Sequence, residues 1–217
     1  MIRGILLDLD KTLVNVLDYV DYCSALRALF KHLGREVNAD VPETYWGVCA
    51  SKAMETLVAL SGSVEWDTAS NIIEEYEIKG AGASTPMHGL GRFMDEVGKF
   101  DKKAIVTLLG PKATKIVIQI HKINVDAVVS RSRDFKPKPY PDQVLQALKL
   151  LDIRPSEAVM VGDSEWDEKA AVSAGVCFIG VTNRRPVHHF KSSIAVVEDL
   201  HGACEVLRAL RKNSLVC

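Results

Sequence analysis

Six short apolar runs rich in β-formers recur along the chain, and segments of helical period separate most of them. They cover Ile2–Leu7, Ala104–Leu108, Val125–Ser130, Ala158–Val161, Val176–Val181 and Ile194–Val197. Between them, Leu90/Phe93/Met94/Val97 and Ala113/Ile116/Val117/Ile120 keep the i, i+3, i+4, i+7 spacing of one helix face. Pro111 and Pro141 suit first helical positions, Ser164 suits an N-cap, and Gly175 suits a stop. Strands that alternate with single helices form a parallel sheet covered on both faces, so the chain is constrained to the α/β class.

One stretch breaks this rhythm. Residues 15–86 contain no convincing strand, only three helical patterns. Tyr19/Tyr22/Cys23/Leu26/Leu33 ends at Gly34, and Trp46/Cys49/Ala53/Leu57/Leu60 starts behind Pro42 and ends at Gly62. Trp66/Ala69/Ile73/Tyr76 runs into Gly80-Ala81-Gly82-Ala83-Ser84-Thr85-Pro86, which reads as a flexible linker. This stretch holds 11 acidic and 5 basic residues, whereas the rest of the chain holds 17 and 22. The overall net charge of −1 therefore conceals an acidic helical insertion in a mildly basic α/β body. Without the insertion, residues 1–14 and 87–217 have the size of one ordinary domain.

Such a balanced charge supplies no global field to recruit nucleic acid or a membrane surface. No run approaches the length of a membrane span, and Asp8 and Asp10 interrupt the apolar N-terminus too early for a signal peptide. The five cysteines (Cys23, Cys49, Cys177, Cys204 and Cys217) form no C-x-x-C pair, so buried thiols in a reducing cytoplasm are the expectation.

Asp8-Leu9-Asp10-Lys11-Thr12 directly follows the first apolar run. In parallel sheets ligand sites lie at the carboxyl ends of strands, and residues i and i+2 of an extended segment face the same way. Two such carboxylates can be metal ligands, an acid/base pair, or a nucleophile beside an acid; Thr12 can equally be a helix cap. Gly162-Asp163-Ser164-Glu165-Trp166-Asp167 repeats the arrangement after another apolar run. All-oxygen ligands of this kind suit Mg²⁺, and Ser164-x-x-Asp167 also has the spacing of a capping box. Thr107 offers a hydroxyl at a third strand end, beside the Leu108 N–H. Gly110-Pro111 then opens a helix whose N-terminus favours anions. Lys138, in Lys136-Pro137-Lys138-Pro139-Tyr140-Pro141, places a compact positive charge in a proline-stiffened loop.

The ordered series Asp-x-Asp-x-Thr, Thr, Lys-Pro-x-Pro and Gly-Asp-Ser-x-x-Asp resembles the haloacid dehalogenase (HAD) superfamily, in the form with a helical cap inserted after the first motif. The resemblance covers nearly the whole chain. It implies a Rossmann-like three-layer core (residues 1–14 and 87–217) with a mainly parallel sheet, and a small all-helical cap (residues 15–86). It further implies a phosphatase in which Asp8 is the nucleophile and forms an aspartyl phosphate, while Asp10 is the general acid and base. Asp8, the Asp10 carbonyl and Asp163 would hold Mg²⁺; Thr107, Leu108 and Lys138 would bind the phosphoryl oxygens. Asp167, Thr12 and Ser164 would support these groups. The implied partner is a small phosphorylated metabolite, with neither nucleic acid nor membrane.

Two positions depart from the family pattern: Lys11 stands where Gly is commonest, and Leu108 replaces a frequent Asn. A phosphomutase of the β-phosphoglucomutase type shares all four motifs and remains an alternative. The presence of Asp10 argues against dehalogenation, and retention of Asp8 and Asp10 argues against an inactive binding protein. Asn15, Tyr19 and Trp46 are candidates for leaving-group selectivity. Arg131, Arg133 and Lys136 form a basic cluster that could steer phosphorylated substrates or be solvated. His188-His189 reads as surface loop and Trp166 as packing.

Overall fold

The computed structural model describes residues 2–35, 46–185 and 188–212. Pro42, Cys217 and the side chain of Trp46, used above as sequence markers, lie outside the described residues. The chain runs through β1 (Gly4–Leu7), β2 (Val14–Asn15), α1 (Tyr22–His32), α2 (Trp46–Ala59), α3 (Trp66–Ala81) and β3 (Thr85–Pro86). It continues through α4 (Leu90–Val97), β4 (Lys102–Val106), α5 (Pro111–Ile120), β5 (Ala127–Val129) and α6 (Asp142–Leu151). The last elements are β6 (Ala158–Gly162), α7 (Glu165–Ser173), β7 (Cys177–Val181), β8 (Ala195–Val197) and α8 (Leu200–Arg211).

All six expected strands join one parallel sheet in the order β5-β4-β1-β6-β7-β8. Alternation along β1 shows why two helical layers are needed. Leu6 faces a cluster with Val144, Leu148, Ala170 and Phe178, so α6 and α7 cover that side. Ile5 and Leu7 face the opposite cluster with Phe93, Val117 and Leu207, so α4, α5 and α8 cover the other. The opposite faces of one strand thus fill two cores, as expected for a three-layer α/β fold. Full burial of each such Leu or Ile contributes about 1.5–3 kcal/mol.

The helical insertion packs α1 against α2 and α3. Its apolar residues Leu26, Ala53, Leu57 and Ile73 belong to the same continuous cluster as Ile5 and Phe93. The cap is therefore seated on the core through a shared apolar interior. Its two connections to the core run side by side, because β2 and β3 pair antiparallel with Val14 opposite Pro86 and Asn15 opposite Thr85. Two-residue strands carry too little periodicity to be seen in the sequence, which is why 15–86 looked free of strand.

Two further expectations are corrected. The segment 80–86 is not a flexible linker: Gly80 and Ala81 form the buried last turn of α3, and Ser84 Oγ donates to the Ala81 carbonyl at 2.7 Å. Gly80 is small because a β-carbon there would collide with Val20 and the Tyr19 backbone; here glycine serves close packing. Nor are all the cysteines thiols. Cys23 on α1 and Cys49 on α2 form a disulfide across a sequence separation of 26, with Cα atoms 5.0 Å apart. The helix faces that bury both residues meet each other, a proximity that sequence spacing does not reveal. Cys177 is also disulfide-bonded, and Cys204 is a buried free thiol.

Candidate active site

The carboxyl ends of β1, β4 and β6 open into a cavity of about 640 Å³ beneath the cap. Asp8, Asp10, Thr107, Leu108, Lys138 and Asp163 line its sheet side, and Asn15, Tyr22, Ala50 and Met54 line its cap side. The residues expected to bind the phosphoryl group and the metal are thus brought to one place.

Asp8 extends the β1 ladder, its N–H donating to the Val161 carbonyl at 2.9 Å. Its side chain is fixed at both oxygens. Oδ1 accepts from Lys138 Nζ at 2.6 Å, and Oδ2 accepts from Thr12 Oγ1 at 2.7 Å. Asp10, two residues on, lines the same cavity but has other partners. Its Oδ1 accepts from the N–H groups of Val16 at 2.8 Å and Leu17 at 3.0 Å, where the chain leaves for the cap. Lys11, directly after Asp10, has φ 62°, which explains why glycine suits this position. Asn183 Nδ2 also donates to the Lys11 carbonyl, at 2.5 Å.

Lys138 is buried, and its ammonium donates to Asp8 Oδ1, to the Val106 carbonyl at 2.9 Å and to Asp167 Oδ1 at 2.5 Å. Asp167 uses its other oxygen to accept from Ser164 N at 3.0 Å and Ser164 Oγ at 2.5 Å. The capping-box spacing is therefore realised, and the same carboxylate aims Lys138. Gln143, which the sequence did not single out, is fully buried. It bridges the site by accepting from Lys138 N at 3.1 Å and donating to the Thr107 carbonyl at 2.8 Å. A lone polar residue early in a helix offered no signal for this.

Carboxylate oxygens of Asp8, Asp163 and Asp167 lie within 4.8 Å of one another. The expected ligand carboxylates Asp8 and Asp163 are both in this group; the Asp10 carboxylate is outside it, with its Oδ1 held by Val16 and Leu17. Arg185 Nη2 donates to Asp163 Oδ2 at 3.0 Å and to the Asp163 carbonyl. Burial, with the neighbouring Asp167 charge, pushes the Asp8 carboxyl up to about 7 against the pull of Lys138. Burial and the charges of Asp8 and Asp167 also hold Asp163 well above the usual carboxylate range. Burial raises Asp10 to about 6, opposed by its two backbone hydrogen bonds. For Lys138 burial acts downward, but the Asp167 and Asp8 carboxylates outweigh it and raise the ammonium. Crowded oxygen donors carrying this strain suit a hard divalent cation.

The helix N-terminus after Gly110 does attract anions, but they belong to the protein. Glu77 Oε2 accepts from Gly110 N at 2.9 Å, and Glu74 Oε1 accepts from Lys112 N at 2.6 Å. A β-carbon at Gly110 would run into Glu74. The expectation that this terminus is open to a ligand is corrected: two cap carboxylates occupy it. The basic cluster also divides. Arg131 is buried in an ion pair with Glu77, Arg133 pairs with Asp67 at 2.6 Å on the surface, and Lys136 lies over the Tyr140 ring. Among the selectivity candidates Asn15 lines the cavity, while Tyr19 is exposed and meets Thr85 instead. Trp166 both lines the cavity and packs against the core. No described helix is long and apolar enough to cross a membrane.

Known proteins give the same picture. Pyrophosphatase PpaX of Bacillus cereus is 26% identical over 184 residues, covering 80% of each chain. CbbY of Rhodobacter sphaeroides, solved with phosphate, superposes with a TM-score of 0.70 at 18% identity, over 92% of this chain and 95% of that one. A HAD-superfamily hydrolase of subfamily IA from Geobacter sulfurreducens superposes at 0.63 and 20% identity, over 95% and 96%. At that identity the two structures speak for the fold alone. Residues 5–181 match the family described as haloacid dehalogenase-like hydrolase. Because the match runs from β1 to the end of β7 and encloses every cavity-lining strand end, this chain belongs to the haloacid dehalogenase-like hydrolases.

Proposed function

We propose that the chain is a Mg²⁺-dependent phosphatase that hydrolyses a small phosphomonoester through an aspartyl phosphate on Asp8. The observation that carries this reading is the fixed aim of Asp8: both oxygens are held, by Lys138 and Thr12, at the floor of a capped cavity. An Asp8 oxygen attacks phosphorus as the bond to the leaving oxygen breaks, and Asp10 gives that oxygen its proton. Water then attacks the aspartyl phosphate, Asp10 takes the water's proton, and Asp8 is freed with release of phosphate. A carboxyl near 6 can serve in both directions at neutral pH. Lys138, the Thr107 hydroxyl and the Leu108 N–H bind the phosphoryl oxygens. Asp8, Asp163 and the Asp10 carbonyl would hold Mg²⁺, which when bound offsets repulsion between carboxylate and phosphate. Thr12, Ser164 and Asp167 keep Asp8 and Lys138 in place. Residues 15–86 act as the cap, over a core of 1–14 and 87–217.

The test is hydrolysis of p-nitrophenyl phosphate with and without EDTA, for the parent and Asp8→Asn. Turnover that EDTA and Asp8→Asn each abolish supports the mechanism; full activity in either case overturns it.

Pyrophosphate is a second reading, favoured by the name of the Bacillus cereus relative. Against it, the cavity's size suits a larger ligand, and its cap side presents Leu17, Ala50 and Met54. Besides Lys138, its described cations are paired, Lys11 with Asp18 and Arg185 with Asp163, which leaves no further cation for a second phosphoryl group. Comparing kcat/KM for pyrophosphate with that for a panel of organic phosphomonoesters decides between the two.

A further inference from the structure

The buried guanidinium of Arg131 has all five donors engaged, most of them by the cap. Nε donates to Ser70 Oγ at 3.0 Å, and Nη2 donates to the Ser70 carbonyl at 3.2 Å and Glu77 Oε2 at 3.1 Å. Nη1 donates to Glu77 Oε1 at 2.8 Å and to the Leu108 carbonyl at 2.7 Å. Its first four bonds reach α3 of the cap; the last reaches the turn that follows β4. The Arg131 main chain adds a grip on the same turn, its N–H donating to the Leu109 carbonyl at 3.1 Å.

The direction of each peptide unit in this turn follows. In a trans peptide the C=O and N–H point opposite ways. Gln143 holds the Thr107 carbonyl, which turns the Leu108 N–H the other way. Arg131 holds the Leu108 carbonyl, and the Leu109 N–H of that peptide donates to Thr107 Oγ1 at 3.2 Å. A hydroxyl that accepts from behind has its own hydrogen left to donate forward. Glu77 then accepts from Gly110 N, the next peptide along.

We propose that Arg131 is a positioning residue: locked by Glu77 and Ser70 of the seated cap, it orients the Thr107 hydroxyl through the Leu108–Leu109 peptide. The proposal rests on the reading above in which this turn binds the phosphoryl group. It makes seating of the cap and readiness of the phosphate site one event. A surface ion pair could not do this; a saturated, buried guanidinium with no slack can.

The test compares Arg131→Lys, the uncharged double variant Arg131→Met/Glu77→Gln, Thr107→Val and Asp8→Asn. Melting temperature, kcat and KM for p-nitrophenyl phosphate, and the inhibition constant of inorganic phosphate are measured for each. The double variant leaves no lone buried charge, and Arg131→Lys keeps a charge for Glu77, so at least one folded protein is available. Expected are a roughly tenfold or larger fall in kcat and a matching rise in the phosphate inhibition constant. Arg131→Lys should add nothing further in a Thr107→Val background, since both act through the same hydroxyl. A folded variant whose kcat and phosphate inhibition constant stay within twofold of the parent overturns the proposal, as do additive effects with Thr107→Val. Full turnover by Asp8→Asn would instead sink the phosphatase reading, so the two failures are distinguishable.

Discussion

Lys138 Nζ lies 2.6 Å from Asp8 Oδ1, and both side chains are buried at the carboxyl end of the sheet. The lysine therefore offsets the charge of Asp8, the proposed nucleophile, and holds its Oδ1 in place. Lys138→Met should lower kcat by about 10²-fold or more, as expected for loss of a cation that stabilises transferring charge. It also leaves buried carboxylates unpaired, a change that costs about 3–5 kcal/mol in other buried pairs. Steady-state kinetics alongside chemical denaturation check both effects; a variant with parental kcat would show that Lys138 is only a structural counter-ion.

Divalent cation should stabilise the protein more as pH rises. Asp8 is raised to about 7, and Asp163 is raised as well, from an ordinary value of 3.8. Between those limits the folded chain binds more protons than the unfolded one, so stability without metal falls as pH increases. At pH 7.5 a cation at a hundredfold excess over its Kd should restore about 2.7 kcal/mol. At pH 4.5 protons compete and the gain should be small. Thermal melts with Mg²⁺ and with EDTA at both values test this, and a cation effect independent of pH contradicts it.

The two halves of the proposed reaction ask opposite things of Asp10, whose carboxyl sits near 6. Departure of an alkoxide needs the protonated form, so kcat for an alkyl phosphate should decline as pH rises past about 6. p-Nitrophenolate needs no proton, and its turnover should follow the ionised form that activates water. Parallel pH profiles for the two substrates would remove Asp10 from the acid role.

Lys11 occupies a left-handed backbone position, with its ammonium 2.6 Å from Asp18. Lys11→Gly relieves a conformational cost of about 1–2 kcal/mol and gives up a half-exposed ion pair worth about 0–1 kcal/mol. A net gain in urea-unfolding free energy is expected; a clear loss would mean the Asp18 pair matters more than the strain.

Cys23–Cys49 closes a loop that crosses from α1 to α2. Chain-entropy arguments assign such a bridge about 3 kcal/mol, or roughly 6–12 °C in Tm for a chain of this size. Cys23→Ser should lower Tm by that order. Unchanged melting, with both thiols found free by alkylation and mass spectrometry, would show that the bridge does not form in solution.

What could be read in the sequence was local. The six strands announced themselves because each is a short apolar run with its own periodicity, and Asp8, Asp10, Thr107, Lys138 and Asp163 because each follows such a run or opens a loop before a helix. The partnerships were hidden because nothing near Arg131 specifies Glu77, 54 positions away, or marks Gln143 as the bridge to Thr107. The same separation hid the glutamates that occupy the α5 N-terminus: the local signal for anion binding was right, and the anion came from another part of the chain. Gly80 resembled part of a linker because composition cannot distinguish freedom from close packing; Val20 makes that distinction.

The pairing of Val14 with Pro86 and of Asn15 with Thr85 means that the excursion into the cap starts and finishes at one spot. Neighbouring strands stand about 5 Å apart, so the chain enters and leaves the cap through one narrow doorway. A chimaera joined at these two pairs would therefore keep both crossings, and its new lid would still have to supply partners for Arg131 and for the α5 N-terminus in place of Ser70, Glu74 and Glu77.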